Sequence, residues 1–186
     1  MKKAIFLDRD GVLSKVLIKD KKSFAPTTLK NFKLFSYSAT SVKQLKLAGF
    51  KVIVVTNQPD VGKKLLSKLT LNKMHNQLKK KTNVDKIYSC IHQQNENCLC
   101  RKPKPGMILK AARKYNIDLK KSFLIGDRAS DIEAGRKAKC RTIFLNKNYE
   151  EKFPTHQEAT FCNLKEATSY ILNLKKENKI KLNVKN

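Results

Sequence analysis

The sequence predicts a doubly wound α/β fold, in which helices cover both faces of a mostly parallel sheet. Two observations lead to this prediction. Short apolar runs of strand length alternate with segments whose apolar residues fall at helical spacing, and such alternation is typical of parallel α/β sheets. The run 52–55 is β-branched throughout, as expected of a central strand that is buried on both faces. A chain of 186 residues is most simply one domain.

The elements follow one another in a regular order. Apolar runs predict the strands 4–7, 52–55, 87–88, 123–125 and 142–145. Apolar residues at helical spacing predict the intervening helices 42–48, 71–78, 105–115, 130–138 and 163–174. Pro105 suits the first turn of the third helix. Ser130, followed by Glu133, has the spacing of a capping box. Asn163 and Glu166 cap the last helix in the same way.

The remaining segments are weakly patterned. Between the first strand and the first helix, residues 13–37 favour a loop excursion. We expect one domain over residues 1–175, with the cysteine-rich loop at 90–100 as a small insertion. Residues 176–186 are lysine-rich and low in complexity, which predicts a flexible basic tail.

The composition is strongly basic, with a formal charge of +26 from 41 Lys and Arg against 15 Asp and Glu. Such a charge suits a nucleic acid, an anionic membrane surface or a phosphorylated substrate. Only six of the cations are Arg, and Lys is spread over the whole chain, which favours a solvated surface over a nucleic-acid footprint. We therefore expect a monomer with a small substrate and no nucleic-acid or membrane partner.

The sequence also predicts a cytoplasmic location. The apolar run 4–7 stops at Asp8, which makes it too short for a secretory signal, and no stretch has the length of a membrane span. In a reducing compartment, clustered cysteines are more often metal ligands than disulfides.

Polar and charged residues collect where the predicted strands end. Ligands bind beyond the carboxyl ends of the strands in such folds, so we expect these side chains on one rim. The rim is predicted to hold Asp8, Asp10, Thr56, Lys102 and Asp127. Carboxylates alone would repel one another there. A hard divalent cation relieves that repulsion, and Mg²⁺ commonly takes one or two carboxylates together with a substrate phosphate.

Four soft metal ligands lie close together after the third strand. In the segment SCIHQQNENCLCRKPKPGM, one residue separates Cys90 from His92 and one separates Cys98 from Cys100. Three thiolates and one imidazole satisfy the tetrahedral preference of Zn²⁺. Four protein ligands leave no position for a substrate, so we predict a structural zinc that braces the basic segment starting at Arg101.

Four segments together resemble the haloacid dehalogenase superfamily of phosphatases. They are FLDRDGV, VVTNQ, RKPKP and IGDRASD, in that order, and the resemblance covers residues 3–145. It implies a Mg²⁺-dependent phosphatase that works through an aspartyl-phosphate. The roles it assigns are nucleophile for Asp8, general acid and base for Asp10, phosphate contacts for Thr56 and Lys102, and Mg²⁺ binding for Asp8, the backbone carbonyl of Asp10 and Asp127. Asp131 is either a carboxylate favoured by a helix N-terminus or a residue that supports the metal ligands.

The cysteine loop narrows the resemblance to the branch that contains heptose 1,7-bisphosphate phosphatases and histidinol-phosphate phosphatase domains. This implies removal of the 7-phosphate of D-glycero-D-manno-heptose 1,7-bisphosphate. Histidinol phosphate is the alternative within that chemistry, and the charge suggests a nucleic-acid 3′-end phosphatase as a weaker one. The substrate contacts that the resemblance implies are Arg9, Asn57, Gln58, Pro59, Arg101 and Arg128. His75 and His156 have no partner in the sequence and are interpreted as structural or solvated.

Overall fold

Six parallel strands form the central sheet. This computed structural model describes residues 1–183 of the chain, with side chains described to residue 177. The strand bounds are β1 Lys3–Leu7, β4 Phe50–Asn57, β5 Lys86–Cys90, β6 Phe123–Gly126, β7 Arg141–Leu145 and β8 Ala159–Phe161. Along the sheet they stand in the order β5-β4-β1-β6-β7-β8. Every neighbouring pair runs parallel, which confirms the predicted fold class.

Helices cover both faces of this sheet. Their bounds are α1 Ser38–Leu47, α2 Pro59–Gly62, α3 Lys68–Thr82, α4 Gly106–Tyr115, α5 Ala129–Lys137 and α6 Leu164–Asn183. Residues of α1, α3 and α6 pack in one apolar core, and residues of α4 and α5 pack in a second core on the opposite face. Within the described part of the chain, no helix is both long and apolar enough to cross a membrane.

The two cores explain why β1 is apolar at successive positions. Ile5 and Leu7 belong to the first core, whereas Ala4 and Phe6 belong to the second. Successive side chains of a strand point to opposite faces, so a strand covered on both faces needs an apolar residue at every position. The same reasoning accounts for the β-branched run in β4, and it is why the central strands could be predicted.

A two-stranded antiparallel hairpin lies inside the segment that was predicted to be a loop. It consists of β2 Leu17–Lys19 and β3 Lys22–Phe24. Its turn residues Asp20 and Lys21 both have positive φ, as a two-residue hairpin turn requires. Strands of three residues, joined by a turn without glycine, give too weak a pattern to be recognised in the sequence.

Some helix ends differ from the prediction. The capping pair of α5 is Arg128 and Asp131, because the Arg128 N–H donates to Asp131 Oδ2 at 3.1 Å. The predicted pair, Ser130 and Glu133, lies two residues further on and is wrong. At α6, Asn163 and Glu166 do cap the helix, since the Glu166 N–H donates to Asn163 Oδ1 at 3.0 Å. Helix α6 continues to Asn183 and takes in most of the predicted tail, while residues 184–186 lie outside the described residues.

Candidate active site

The carboxyl ends of β1, β4 and β6 meet at one edge of the sheet, because β1 lies between the other two strands. A cavity of about 600 Å³ opens at this edge. Asp8, Asp10 and Lys102 line it, and Thr56 and Asp127 are buried at the ends of the same strands. The fold therefore brings the five residues of the predicted rim to the same end of the sheet.

Lys102 contacts two carboxylates and one backbone carbonyl at this edge. Its Nζ lies 2.9 Å from Asp8 Oδ1 and 2.5 Å from Asp131 Oδ1. It also donates to the backbone carbonyl of Val55 at 2.8 Å. Burial alone would lower the pKa of Lys102, but the Asp131 and Asp8 carboxylates outweigh that effect and raise the pKa above its usual value. The ammonium is therefore charged and fixed beside the carboxylate of Asp8.

Asn57 holds the backbone of the same lysine. Its side-chain amide donates to the carbonyl of Lys102 at 3.0 Å, and its Oδ1 accepts the Lys102 N–H at 3.1 Å. Asn57 was predicted to contact substrate. In the structure it lines the cavity while both polar atoms of its side chain are engaged in positioning Lys102.

Three carboxylates form a buried cluster below the cavity. Ligand oxygens of Asp8, Asp127 and Asp131 lie within 4.8 Å of one another. Burial raises the pKa of Asp8 to about 6 against the opposing effect of the Lys102 ammonium. The pKa of Asp127 is raised well above its usual value, first by burial and then by the neighbouring Asp8 and Asp131 carboxylates. Without a counter-ion, this arrangement disfavours the ionised acids.

The donor set of this cluster fits a hard divalent cation. Neither carboxylate oxygen of Asp127 has a hydrogen-bond partner among the described residues, although both oxygens are buried. Buried polar atoms are normally paired, and a cation bound by oxygen ligands would pair these. Gly11 is part of the same arrangement, because it has a φ of +85° and a Cβ at this position would lie 1.8 Å from Asp127 Oδ2.

Arg9 and Gln58 do not line the cavity in this structure. Both side chains are buried, and the guanidinium and the amide bond to each other, with Arg9 Nη2 donating to Gln58 Oε1 at 2.9 Å. Gln58 Nε2 also donates to Thr56 Oγ1 at 2.9 Å. That Arg9 and Gln58 contact substrate stays a prediction; in this structure both side chains bond to the carboxylate of Asp10 instead of lining the cavity.

The other three predicted contacts line the cavity: Pro59, Arg101 and Arg128. The Nη1 of Arg101 is buried without a hydrogen-bond partner among the described residues, so it is available to a ligand. Arg128 is engaged elsewhere: its Nη2 donates to the carbonyl and the Oγ of Ser23 at 2.9 and 2.7 Å, and its Nη1 lies 3.2 Å from Glu151. It thereby fastens the β2–β3 hairpin beside the cavity.

The predicted zinc ligands are brought together in the loop that follows β5. Cys90 Sγ lies 3.5 Å from both His92 Nδ1 and Cys98 Sγ, and Cys100 Sγ lies 3.2 Å from His92 Nδ1 and 3.6 Å from Cys98 Sγ. Sulfur atoms about 2.3 Å from a tetrahedral Zn²⁺ would be about 3.8 Å apart. All four residues offer ligand atoms within 4.8 Å of one another, and the three cysteines form no disulfide. The cluster fits one tetrahedral zinc.

Comparisons with known proteins agree with this arrangement. A family model described as HAD-hydrolase-like matches residues 99–165. An enzyme of Helicobacter pylori strain J99, named D-glycero-beta-D-manno-heptose-1,7-bisphosphate 7-phosphatase, is 36% identical over 177 residues, which are 91% of this chain and 97% of that protein. The chain belongs to the haloacid dehalogenase family of phosphatases. The predicted family is thus confirmed.

Two further proteins are similar to this haloacid dehalogenase phosphatase over most of its length. One from Campylobacter jejuni, named D-glycero-alpha-D-manno-heptose-1,7-bisphosphate 7-phosphatase, is 34% identical over 96% of this chain and 98% of its own. The crystal structure of D,D-heptose 1,7-bisphosphate phosphatase from B. bronchiseptica, complexed with magnesium and phosphate, has a TM-score of 0.79 and is 27% identical, covering 92% of this chain and 98% of that one.

Two features of the site in this haloacid dehalogenase phosphatase were not predicted from the sequence. The β2–β3 hairpin contributes Ser23 and Phe24 to the cavity wall, and no sequence pattern indicated this. His75, interpreted as structural or solvated, lies 3.3 Å from Arg9 Nη1. A single histidine on a helix carries no signal of such a contact, since its partner lies 66 positions earlier in the chain.

Proposed function

We propose that this phosphatase removes the 7-phosphate of a D-glycero-D-manno-heptose 1,7-bisphosphate. The observation that carries the proposal is the similarity, over nearly the whole chain, to enzymes named for that reaction. The arrangement of Asp8, Lys102 and the buried carboxylates supports the chemistry, because it pairs a carboxylate at a strand end with a charged ammonium and a site for a divalent cation.

The reaction proceeds in two displacements at phosphorus. In the first, a carboxylate oxygen of Asp8 forms a bond to phosphorus while the bond to the sugar oxygen breaks, and Asp10 gives its proton to that departing oxygen. In the second, Asp10 takes a proton from water, the water oxygen bonds to phosphorus, and the bond between Asp8 and phosphorus breaks. Inorganic phosphate leaves and both carboxyl groups return to their starting state.

Lys102 and Thr56 stabilise the charge on the transferring phosphoryl group. The Lys102 ammonium is held in place by its contacts to Val55 and Asp131, so little reorganisation is needed when negative charge develops. Thr56, at the end of β4, offers a hydroxyl that can donate to a phosphoryl oxygen, because its own Oγ accepts from Gln58.

Mg²⁺ is the catalytic cofactor in this proposal, held by Asp8, Asp127 and the backbone carbonyl of Asp10. When bound, it neutralises the carboxylates and the phosphate oxygens, which lets the anionic nucleophile approach an anionic ester. Asp131 bonds to Lys102 and to the Arg128 N–H, and it supports the site from the adjacent helix α5.

Zn²⁺ at Cys90, His92, Cys98 and Cys100 is a structural cofactor. The last of these ligands directly precedes Arg101 and Lys102, so fixing the loop also fixes the two cations. Arg101, whose Nη1 has no partner among the described residues, is positioned to meet the phosphate of the substrate. The monomeric state and the cytoplasmic location stay predictions from the sequence.

The test is phosphate release from a panel of esters by the purified protein with Mg²⁺. The panel holds both anomers of the heptose 1,7-bisphosphate, histidinol phosphate and a 3′-phosphorylated oligonucleotide. We expect the heptose bisphosphates to have the highest kcat/KM, with the anomer decided by the assay because the relatives include both names. A higher kcat/KM for histidinol phosphate or for the oligonucleotide would overturn the proposed substrate.

A further inference from the structure

Arg9 is the largest fully buried side chain of the described residues, and its burial needs an explanation. An ionised side chain is costly to remove from water unless each donor is paired. All three guanidinium nitrogens of Arg9 do have partners: Nε and Nη2 lie against Asp10, Nη2 also donates to Gln58, and Nη1 lies against His75. The guanidinium carbon also lies 5.2 Å from the centre of the Phe32 ring.

The carboxylate of Asp10 is the common target of these groups. Arg9 donates from Nε to Oδ1 at 3.0 Å and from Nη2 to Oδ2 at 2.7 Å. Gln58 Nε2 donates to Oδ2 at 2.8 Å, and Ser14 Oγ donates to Oδ1 at 2.9 Å. Both oxygens are thus contacted by at least two groups each, and a forked pair of this kind fixes the orientation of a carboxyl group as well as its position. When Asp10 carries the proton that it gives to the leaving oxygen, the Ser14 hydroxyl can accept from Oδ1 and donate to the Arg9 carbonyl, which lies 3.1 Å away.

His75, on helix α3, holds the far side of the guanidinium. Its Nε2 lies 3.3 Å from Arg9 Nη1, and arginine has only donors, so Nε2 accepts and the ring proton is on Nδ1. Burial, and then the charge of Arg9, lower the pKa of His75 to about 4, which keeps the ring neutral at physiological pH. A neutral imidazole is the form that can accept from a guanidinium.

A purely structural role explains this arrangement poorly. A buried ion pair contributes little net stability compared with apolar residues of the same volume. The polar groups also converge on one residue, Asp10, which is part of the cavity wall. Misplacing a reacting group by about 1 Å can cost about 100-fold in rate, so a mechanism that depends on Asp10 needs such a support.

We propose that Arg9 and His75 are positioning residues, in which His75 orients the guanidinium of Arg9 and Arg9, with Gln58, fixes the carboxylate of Asp10 at the cavity. The inference rests on the proposed role of Asp10 as the group that protonates the leaving oxygen. Asp10 is then held from helix α3, an element that contributes nothing else to the site described above.

The experiment compares two esters in four variants. One ester is an aryl phosphate, whose leaving group needs little protonation, and the other is the sugar phosphate that the wild-type protein hydrolyses best. The variants are Arg9→Lys, His75→Leu, His75→Gln and, as a matched control, Gln77→Leu, which changes a half-buried residue of the same helix. The parameter is kcat/KM, because it reports the first displacement, in which the leaving oxygen takes its proton.

For His75→Leu we expect kcat/KM for the sugar phosphate to fall about tenfold, a part of the roughly 10²–10⁴ that general acid catalysis contributes, and kcat/KM for the aryl phosphate to change less than about twofold. Arg9→Lys keeps the charge but loses the two parallel N–H donors of the guanidinium, and kcat/KM for the sugar phosphate should fall further, by about 100-fold. His75→Gln offers an amide oxygen as acceptor and should restore most of the activity, while Gln77→Leu should leave both esters unchanged.

Equal losses on the two esters, accompanied by a lower melting temperature, would overturn the inference, because that is the signature of a purely structural role. Unchanged kinetics in both His75→Leu and Arg9→Lys would do so as well. Should Arg9→Lys fail to fold, the two His75 variants decide the question alone. If the wild-type protein hydrolyses no phosphate ester, the proposed function is refuted, and the proposed role of Asp10 is refuted as well.

Discussion

The balance of charges around Lys102 favours a divalent cation at the centre of the site. The cluster contains three carboxylates, Asp8, Asp127 and Asp131, and one ammonium. When all are ionised, two negative charges remain in a buried position. A cation with two positive charges balances them, and it also pairs the two Asp127 oxygens that lack a partner among the described residues.

Replacing Asp8 with Asn tests the nucleophile. The amide keeps the shape of the side chain but cannot attack phosphorus, so we expect kcat to fall by at least about 10³, as for other single knockouts of covalent nucleophiles. Measured without Mg²⁺, the melting temperature should not fall, because burial already disfavours the ionised form of Asp8. Asp20→Asn, in the β2–β3 turn, is the control. Turnover close to that of the wild type in Asp8→Asn would remove this residue from its role.

Asp127→Asn tests the metal site without measuring activity. Mg²⁺ binds the folded state, so at about 100 times its Kd it should stabilise the protein by about 2.7 kcal/mol, or roughly 5–10 °C in melting temperature for a chain of this size. The variant should lose this Mg²⁺-dependent shift. The measurement is thermal unfolding after treatment with a chelator, with and without added Mg²⁺. A full shift in the variant would contradict Asp127 as a ligand.

At the scale of elements, the loop after β5 links the cysteines to Lys102. The Gln58 N–H donates to the carbonyl of Cys90 at 2.7 Å, and Gln93 Nε2 donates to the carbonyl of Gly62 at 3.0 Å. These bonds attach the loop to the end of β4 and to α2. The chain then reaches Lys102, whose backbone is held by Asn57. The position of Lys102 thus depends on the attachment of the whole segment 90–102.

Cys98→Ser tests the loop as a unit. Serine is a weak ligand for Zn²⁺, so we expect less than one zinc per chain, a lower melting temperature and a lower kcat/KM, because Arg101 and Lys102 are displaced but still present. The dependence of activity on Mg²⁺ should not change, since the carboxylates offer a separate oxygen site. Cys162→Ser, at an exposed cysteine outside the loop, is the control. Wild-type protein with full activity and no zinc would contradict the structural role of the metal.

Some elements of this fold could be predicted from the sequence and others could not. The first five strands of the parallel sheet and the rim were predictable, because two covered faces require continuous apolar runs and parallel strands end at one edge. The edge strand β8 was not predicted, since none of its three residues is fully buried. The β2–β3 hairpin was not, because it is held by contacts from distant segments, such as Arg128 to Ser23. Nor was the burial of Arg9 predictable, since its pairing depends on Gln58 and His75, which are remote in the chain.

At the scale of the whole molecule, the charge of +26 remains the most prominent feature of the composition. We expect oligonucleotides to bind weakly, without sequence preference, and to dissociate steeply as salt rises, because only non-specific contacts to phosphates are available. Fluorescence anisotropy between about 50 and 200 mM salt measures this. Tight and selective binding at physiological salt would contradict a small phosphate ester as the substrate.

The strand order has a consequence for synthesis of the protein. Asp8 directly follows β1, a strand whose two neighbours, β4 and β6, begin 40 or more residues further along the chain. Contacts between such distant segments form late, because long loops must first close. A nascent chain therefore carries the proposed nucleophile from the start of translation, but it lacks Asp127, the proposed metal ligand, until β6 has left the ribosome and docked. Under the proposed mechanism we expect partly synthesised chains to be inactive, and hydrolysis to begin only when the middle of the sheet is complete.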